Sequence, residues 1–164
     1  MYQASAPRFA NTLKNLSAVL DKAQAHCEAK KIDPLVLTGA RLYPDMFALA
    51  RQVQVACDTA KGAMARLAGV ELPKHADTEK TFGELKARID KTLAFIEGFK
   101  PAQIDGTEEK AIEIKLGPTE VKWRGMQYLL GFALPNFYFH VATAYGILRH
   151  NGVELAKRDF IGNP

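Results

Sequence analysis

One stretch decides the fold of this chain: LPNFYFHVATAYGILRHNG, residues 134–152. It places three consecutive aromatic residues and a histidine in one helical run, and Asn151-Gly152 is a helix-stop signal. Side chains four residues apart lie on one face of a helix, so Asn136 and His140 point the same way. The stretch therefore predicts a long helix that carries a polar pair suited to a ligand site.

Three further segments carry the helical repeat. Apolar residues recur at three- and four-residue steps over 4–30, 43–68 and 78–97. We expect the second helix to open at Tyr43-Pro44-Asp45, because proline suits the first helical turn. The third follows a loop at 71–77 and should be capped by Asp77 or Thr78, whose side-chain oxygens can accept hydrogen bonds from free backbone N–H groups.

The last helix should begin near Met126, because apolar residues already recur at helical spacing from there. It should run to about residue 150 and bend at Pro135. The tail, residues 153–164, is expected to lie along the surface.

The repeat changes between the third and the last helix. Apolar and charged residues alternate within 111–124 on both sides of Gly117-Pro118, which predicts a β-hairpin. A hairpin alone is marginally stable, so one face should pack on the helices, with Trp123 substantially buried. That face consists of Ile112, Ile114, Leu116, Val121 and Trp123.

Length and composition indicate a single domain, residues 1–164. Hydrophobic residues make up 48% and charged residues 24% of the 164 positions, and such a chain buries roughly two thirds of its unfolded surface. No run approaches the roughly 18 apolar residues of a membrane span, and residues 1–8 lack a secretory signal, which favours the cytoplasm.

Cys27 and Cys57 fit small buried apolar residues, with a reactive thiol or a disulfide as alternatives.

The net charge of +4 does not indicate a nucleic-acid partner. The 22 lysines and arginines are scattered among 18 acidic residues. Nucleic-acid binding would need a one-sided basic stripe or a recognised module. The pattern therefore favours a solvated surface.

Four amphipathic helices and one hairpin predict an all-α fold: a four-helix bundle with a small β-hairpin between the third and fourth helices. At this point the chain resembles the DinB/YfiT-like bundles, and within them an uncharacterised bacterial family. The resemblance covers nearly the whole chain and rests on four stretches: LKNL at 13–16, RLYPDM at 41–46, LPNFYFH at 134–140 and LRHNG at 148–152.

The resemblance implies a metal site near the centre of the bundle. In metal-binding relatives one histidine comes from the second helix and a His-x-x-x-His pair from the fourth. Here the fourth-helix pattern is Asn136-x-x-x-His140, and the second-helix position falls near Gln52. Imidazole is a good ligand for zinc or nickel, whereas an amide oxygen is a weak one. Gln52, Asn136 and His140 therefore indicate a degenerate metal site, with Asp45 as a further carboxylate and a weakly bound divalent metal left open.

The same residues also predict a pocket without a metal. His140 should either hydrogen-bond a partner such as Gln52 or Tyr43 in the core, or line a ligand pocket with these residues and Asn136. For Asn136 the alternatives are a hydrogen bond to another helix or a cap beside Pro135.

The aromatic residues of the last helix predict a homodimer. Phe137, Tyr138 and Phe139 point in three directions, so one core cannot bury all three. Aromatic surface left over favours a second copy, and the resemblance also implies dimers. We expect a helical, isologous interface.

Three functions stay open. The first is binding of a small molecule or a partner in a mid-bundle cleft around His140. The second is a metal-dependent enzyme such as a thiol transferase or a hydrolase, in which the ion would lower the pKa of a thiol. The third is a dimeric, stress-related interaction protein without catalysis. Fold alone does not choose among them.

Overall fold

The computed structural model describes residues 1–162, except for the side chain of Leu116. Four long helices pack together as a bundle. In chain order the elements are α1 (Ala6–Lys30), α2 (Pro34–Thr38), α3 (Leu49–Ala68), α4 (Phe82–Glu97), α5 (Pro101–Ile104), β1 (Ala111–Leu116), β2 (Thr119–Arg124), α6 (Gly125–Tyr128), α7 (Leu134–His150) and α8 (Lys157–Ile161). Helices α1 and α3 each pack against both α4 and α7. The predicted helical bundle with a hairpin is confirmed. Within the described residues, no helix is long and apolar enough to cross a membrane.

The second long helix begins later than predicted. It starts at Leu49, and residues 43–46 form a tight turn in which the Met46 N–H donates to the Tyr43 carbonyl at 3.0 Å. Arg41 Nη1 donates to the Met46 carbonyl at 2.6 Å, and the Leu49 N–H donates to the Ala40 carbonyl at 2.9 Å. These contacts satisfy the backbone in a turn and make the expected start at Pro44 wrong.

Helix α4 is capped by Thr81, so the expected caps Asp77 and Thr78 are wrong. Thr81 Oγ1 accepts from the Glu84 N–H at 3.2 Å, and Glu84 Oε2 accepts from the Thr81 N–H at 2.9 Å. This reciprocal pair is a capping box. Asp77 instead forms ion pairs with Arg51 and Arg88.

The hairpin is confirmed, with Ile112 opposite Trp123 and Ile114 opposite Val121. Ile112 is buried, whereas Ile114, Val121 and Trp123 are half-buried. The Trp123 ring stacks on Phe132 at 5.1 Å between centroids. The Trp123 ring also lies 6.1 Å from the Tyr128 ring, and the side chain packs against the core, so the expected substantial burial of Trp123 is confirmed. Leu116, the remaining residue of the predicted apolar face, has a side chain outside the described part.

The last helical region is interrupted just before Pro135. A π-helical turn, Leu129–Ala133, separates α6 from α7. Proline has no N–H to donate to the carbonyl of Gly131, four residues earlier, and a wider turn accommodates that missing bond. Helix α7 ends at His150 as predicted, and Gly152 follows with φ +89°.

The segment after α7 contributes to the core. Val153 is fully buried and Leu155 nearly so, and α8 packs on α1. Asn15 Nδ2 donates to the Phe160 carbonyl at 3.2 Å, and Lys22 pairs with Asp159 at 2.8 Å. The expectation of a purely superficial tail is therefore wrong for 153–162, and residues 163–164 lie outside the described range.

Candidate functional site

His140 lies on the inner side of α7 and is 7% exposed. Its Nδ1 lies 2.7 Å from Oε1 of Gln52 on α3. The Gln52 amide is oriented by a second bond, because its Nε2 donates to the carbonyl oxygen of Phe47 at 3.0 Å. Since Gln52 Oε1 can only accept, Nδ1 of His140 carries the hydrogen and Nε2 keeps its lone pair.

The imidazole of His140 is neutral near pH 7. Burial lowers the pKa of His140 below its ordinary value of 6.5, and the positive charge of Arg51 lowers it further. Among the described residues, the buried side-chain nitrogens without a partner are His75 Nδ1 and Arg88 Nε. Nε2 of His140 is not one of them, and the hydrogen bond of this ring is made by Nδ1, so Nε2 keeps contact with solvent and is available as a hydrogen-bond acceptor.

That open space is a cleft of about 210 Å³ between α7, the start of α3 and the turn before it. The Phe47 ring lies nearly parallel to the imidazole, 6.5 Å away at 19°, and the Phe139 ring meets it edge-on at 5.2 Å. Both phenylalanines are half-exposed. The lining consists of Asp45, Met46, Phe47, Gln52, Phe139 and His140. The cleft thus offers aromatic walls, a carboxylate at its edge and one neutral nitrogen acceptor.

The other predicted pocket residues lie apart from this pair. Asn136 Nδ2 donates to Thr59 Oγ1 at 2.8 Å, which is a hydrogen bond between α7 and α3. Tyr43 is 66% exposed and does not line the cleft. The structure therefore brings Gln52 and His140 together, and places Asn136 and Tyr43 elsewhere.

These residues do not fit the metal site that the resemblance implies. Nδ1 of His140 is bound to Gln52, and the Asn136 amide is engaged with Thr59. Within the described part of the chain, no group of three or more His, Cys, Asp or Glu side chains is arranged to hold a metal ion. One imidazole beside one carboxylate, Asp45, is a weak donor set for zinc or nickel.

Comparison with known proteins shows the family of this chain. A family model described as a domain of unknown function, DUF1993, matches residues 1–161. The chain belongs to the DUF1993 family. The crystal structure of a DinB family member protein from Shewanella denitrificans is 45% identical, with a TM-score of 0.90, over 99% of this chain and 92% of that one. The DUF1993 chain is therefore DinB-like, and no curated protein matches it.

The cysteines of this DUF1993 protein offer no nucleophile. Cys27 and Cys57 are free and buried, as the sequence predicted. Burial raises the pKa of Cys57 to about 12, so its thiol stays protonated at neutral pH. Burial likewise raises the pKa of Cys27.

A second groove, about 560 Å³, lies between the C-terminal half of α1 and the segment after α7. Its lining includes Lys22, His26, Lys30 and Glu154. Lys22 is paired with Asp159, and basic residues near a helix C-terminus complement the helix dipole. The groove has no buried polar side chain, so the cleft at His140 is the better candidate.

The sequence patterns did not predict the cluster of charged side chains around Arg88. The Arg88 side chain is 1% exposed and pairs with Asp58, Asp77 and Glu79 at 2.9, 2.9 and 3.1 Å. One signal was available in the sequence: position 88 falls on the same helical face as the buried residues Leu85 and Thr92. A cation on an apolar face, shortly after the acidic residues Asp77 and Glu79, indicates a buried ion pair.

Proposed function

We propose that this DinB-like bundle, as one domain of residues 1–164, binds a small molecule or a partner's side chain in the cleft around His140. The supporting observation is a histidine that lines a cleft with aromatic walls and whose Nδ1 is held by Gln52, which leaves Nε2 as the acceptor. Gln52 and the backbone of Phe47 preorganise that acceptor, so it needs no rearrangement on binding.

The chemistry of the cleft suggests the ligand class. Nε2 of His140 accepts one hydrogen bond, and the half-exposed rings of Phe47 and Phe139 favour a flat apolar body. A phenol-like or indole-like group combines an O–H or N–H donor with such a body. Asp45, at the edge of the cleft, can accept from a second donor on the same ligand.

Binding of 4-fluorophenol, followed by fluorine NMR, tests this proposal. His140→Phe keeps a flat ring and removes the acceptor, and should weaken binding about threefold to tenfold, the range expected for one neutral hydrogen bond. The matched control is His26→Phe, because His26 lines the other groove. Absence of binding to the wild type, or equal binding to His140→Phe, would show that the cleft does not recognise such ligands through His140.

We also propose that the site is a degenerate metal site. The wild type should hold no stoichiometric zinc or nickel after purification without chelator, because a single imidazole supplies only one strong ligand. Position 136 lies one helical turn from His140 on α7, so Gln52→His with Asn136→His should raise metal affinity by adding imidazole donors on the same helix face and on α3. Near-equimolar metal in the wild type that is lost in His140→Ala would instead support the metal-dependent enzyme.

We further propose a homodimer. Exposed apolar side chains lie at the cleft and in the segment before it: Phe47 and Phe139 line the cleft, and Leu42 and Tyr43 precede Phe47 in the chain. Leu42 lies against α7 at Gly146, which joins this surface to the aromatic residues of that helix. Such a patch favours association with a second copy. Sedimentation at micromolar concentration should show twice the chain mass of 18.1 kDa, and a purely monomeric species would contradict the proposal.

A cytoplasmic location remains part of this proposal. The buried, free thiols of Cys27 and Cys57 support it, since disulfides are rare in reducing compartments. Fractionation of cells that express the tagged protein would test the location directly.

A further inference from the structure

A closed ring of five polar side chains joins α3, α4 and the loop between them. Arg88 on α4 pairs with Asp77 and Glu79 of the loop at 2.9 and 3.1 Å. Asp77 pairs in turn with Arg51 on α3. Gln54, also on α3, accepts from Arg51 Nη1 at 3.2 Å and donates to Glu79 Oε2 at 3.1 Å. Arg88 is therefore connected to Arg51 in two ways, through Asp77 and through Glu79 with Gln54.

Arg88 is the buried member of the ring, with a side chain that is 1% exposed. A buried guanidinium must be paired and hydrogen-bonded, and Arg88 also bonds Asp58 of α3 and the Ala76 carbonyl of the loop. The loop of residues 70–81 is thereby held against both helices. Arg51 and Asp77, in contrast, are each about 40% exposed in their side chains.

Arg51, one of the exposed members of the ring, contacts a wall of the cleft. The guanidinium carbon of Arg51 lies 5.7 Å from the centroid of the Phe47 ring, a cation–π contact. Phe47 is also the residue whose carbonyl is held by Gln52 and whose ring lies parallel to the imidazole of His140. Arg51 thus supports one wall of the cleft without lining it.

We propose that Arg51 is a positioning residue of the cleft: Asp77 and Gln54 hold its guanidinium against Phe47, so the loop of residues 70–81 sets the shape of that wall. As far as ligand affinity is concerned, the inference rests on the proposed function. The predicted effect of Arg51 on the position of Phe47 does not depend on the proposed function, because these two side chains are in contact without any ligand. Asp77 becomes a residue that affects the cleft through Arg51 alone.

A pair of matched substitutions tests the inference. Asp77→Asn removes the charge that holds Arg51, and the control is Asp21→Asn, which breaks the surface ion pair between Asp21 and Lys86 on the α1–α4 side. Asp77→Asn should shift the ring resonances of Phe47 and weaken 4-fluorophenol binding about twofold to fivefold, the range expected for one cation–π contact. Asp21→Asn should do neither.

A second readout needs no ligand. Two charged groups face this region: Arg51 from α3, whose charge acts on the imidazole, and Asp45 from the preceding turn, which lines the same cleft. Arg51→Gln removes the positive charge and should raise the pKa of His140, measured by NMR with His26 and His150 as references. Arg51→Lys keeps the charge and should leave that pKa near the wild-type value, while its single ammonium group positions Phe47 less well.

The outcomes separate this inference from the proposed function. If 4-fluorophenol does not bind the wild type, but Asp77→Asn still moves the Phe47 resonances and Arg51→Gln raises the pKa of His140, the positioning role holds and the ligand class is wrong. If the probe binds the wild type, and both variants bind it equally with unchanged Phe47 and His140 signals, the ring only fastens the loop and the positioning role is overturned.

Discussion

Replacing Gln52 with leucine should destabilise the fold through two atoms that lose their partners. The buried Nδ1–H of His140 loses its acceptor at 2.7 Å, and the carbonyl of Phe47 loses its donor at 3.0 Å. A buried donor left unsatisfied costs about 1–3 kcal/mol, and an ordinary hydrogen bond contributes about 0.5–1.5 kcal/mol. Water can replace the donor to Phe47, which is half-exposed. We therefore expect Gln52→Leu to lower the free energy of unfolding by roughly 2–3 kcal/mol in total.

A double-mutant cycle with His140→Phe isolates the pair. Each single variant leaves a buried partner unsatisfied, whereas the double variant removes both, so its cost should fall below the sum of the singles by about 1–2 kcal/mol. The assay is urea unfolding followed by circular dichroism. In thermal unfolding, Gln52→Leu should lower the Tm by roughly 4 to 12 °C for a chain of this size.

The matched control is Thr59→Val, which breaks the half-buried hydrogen bond from Asn136 between the same two helices. Solvent can reach that pair, so the expected loss is about 0.5–1 kcal/mol. Two results would contradict this role of the His140–Gln52 bond. One is a loss of unfolding free energy in Gln52→Leu no larger than that of the control, and the other is additive losses in Gln52→Leu and His140→Phe.

Three further predictions concern the cap, the hairpin and pH. Thr81→Ala should destabilise α4 by about 1 kcal/mol because it removes a capping box, while Thr78→Ala, outside that box, should have no effect in the same urea experiment. Ile112→Ala should cost about 2–4 kcal/mol, since Ile112 is 3% exposed, and tryptophan fluorescence should report loosening around Trp123 opposite it. The pKa of His140 is lowered by burial and by Arg51, so the stability it contributes is present above about pH 6.5 and is lost as the pH falls through the lower folded value. His140→Gln should flatten that acid limb by at most about 1.4 kcal/mol per pH unit, and an unchanged slope would place the titration elsewhere.

Periodicity was a reliable guide wherever one face of an element meets the core. Helices α1 and α7 and both strands lie where the repeat of apolar residues predicts them, because burial of a continuous stripe stabilises the element over its whole length. The ends were less predictable. Asp77 and Thr81 are both good capping residues by type, and the choice between them follows from Arg51 and Arg88, which bind Asp77.

In the candidate site, too, the sequence predicts which helix carries a residue but not which partner that residue contacts. The spacing of Asn136 and His140 correctly places both on α7, one turn apart. It does not reveal that Asn136 bonds Thr59 while His140 bonds Gln52. Which donor meets which acceptor depends on the rotation and height of α3 against α7, and a repeat within one helix carries no information about its neighbour.

Periodicity and turn residues predicted the helical bundle and the hairpin, because these signals act over a few positions of the chain. The family resemblance came separately, from four short stretches of sequence. Only the tertiary structure decided the contents of the cleft. His140 and Gln52 are 88 positions apart, and Arg88 reaches Asp58 over 30. Such contacts form when the whole core excludes water and leaves each buried polar atom only the partners that packing brings within reach. The site around His140 and the ring around Arg88 are therefore properties of the packed bundle rather than of any single segment.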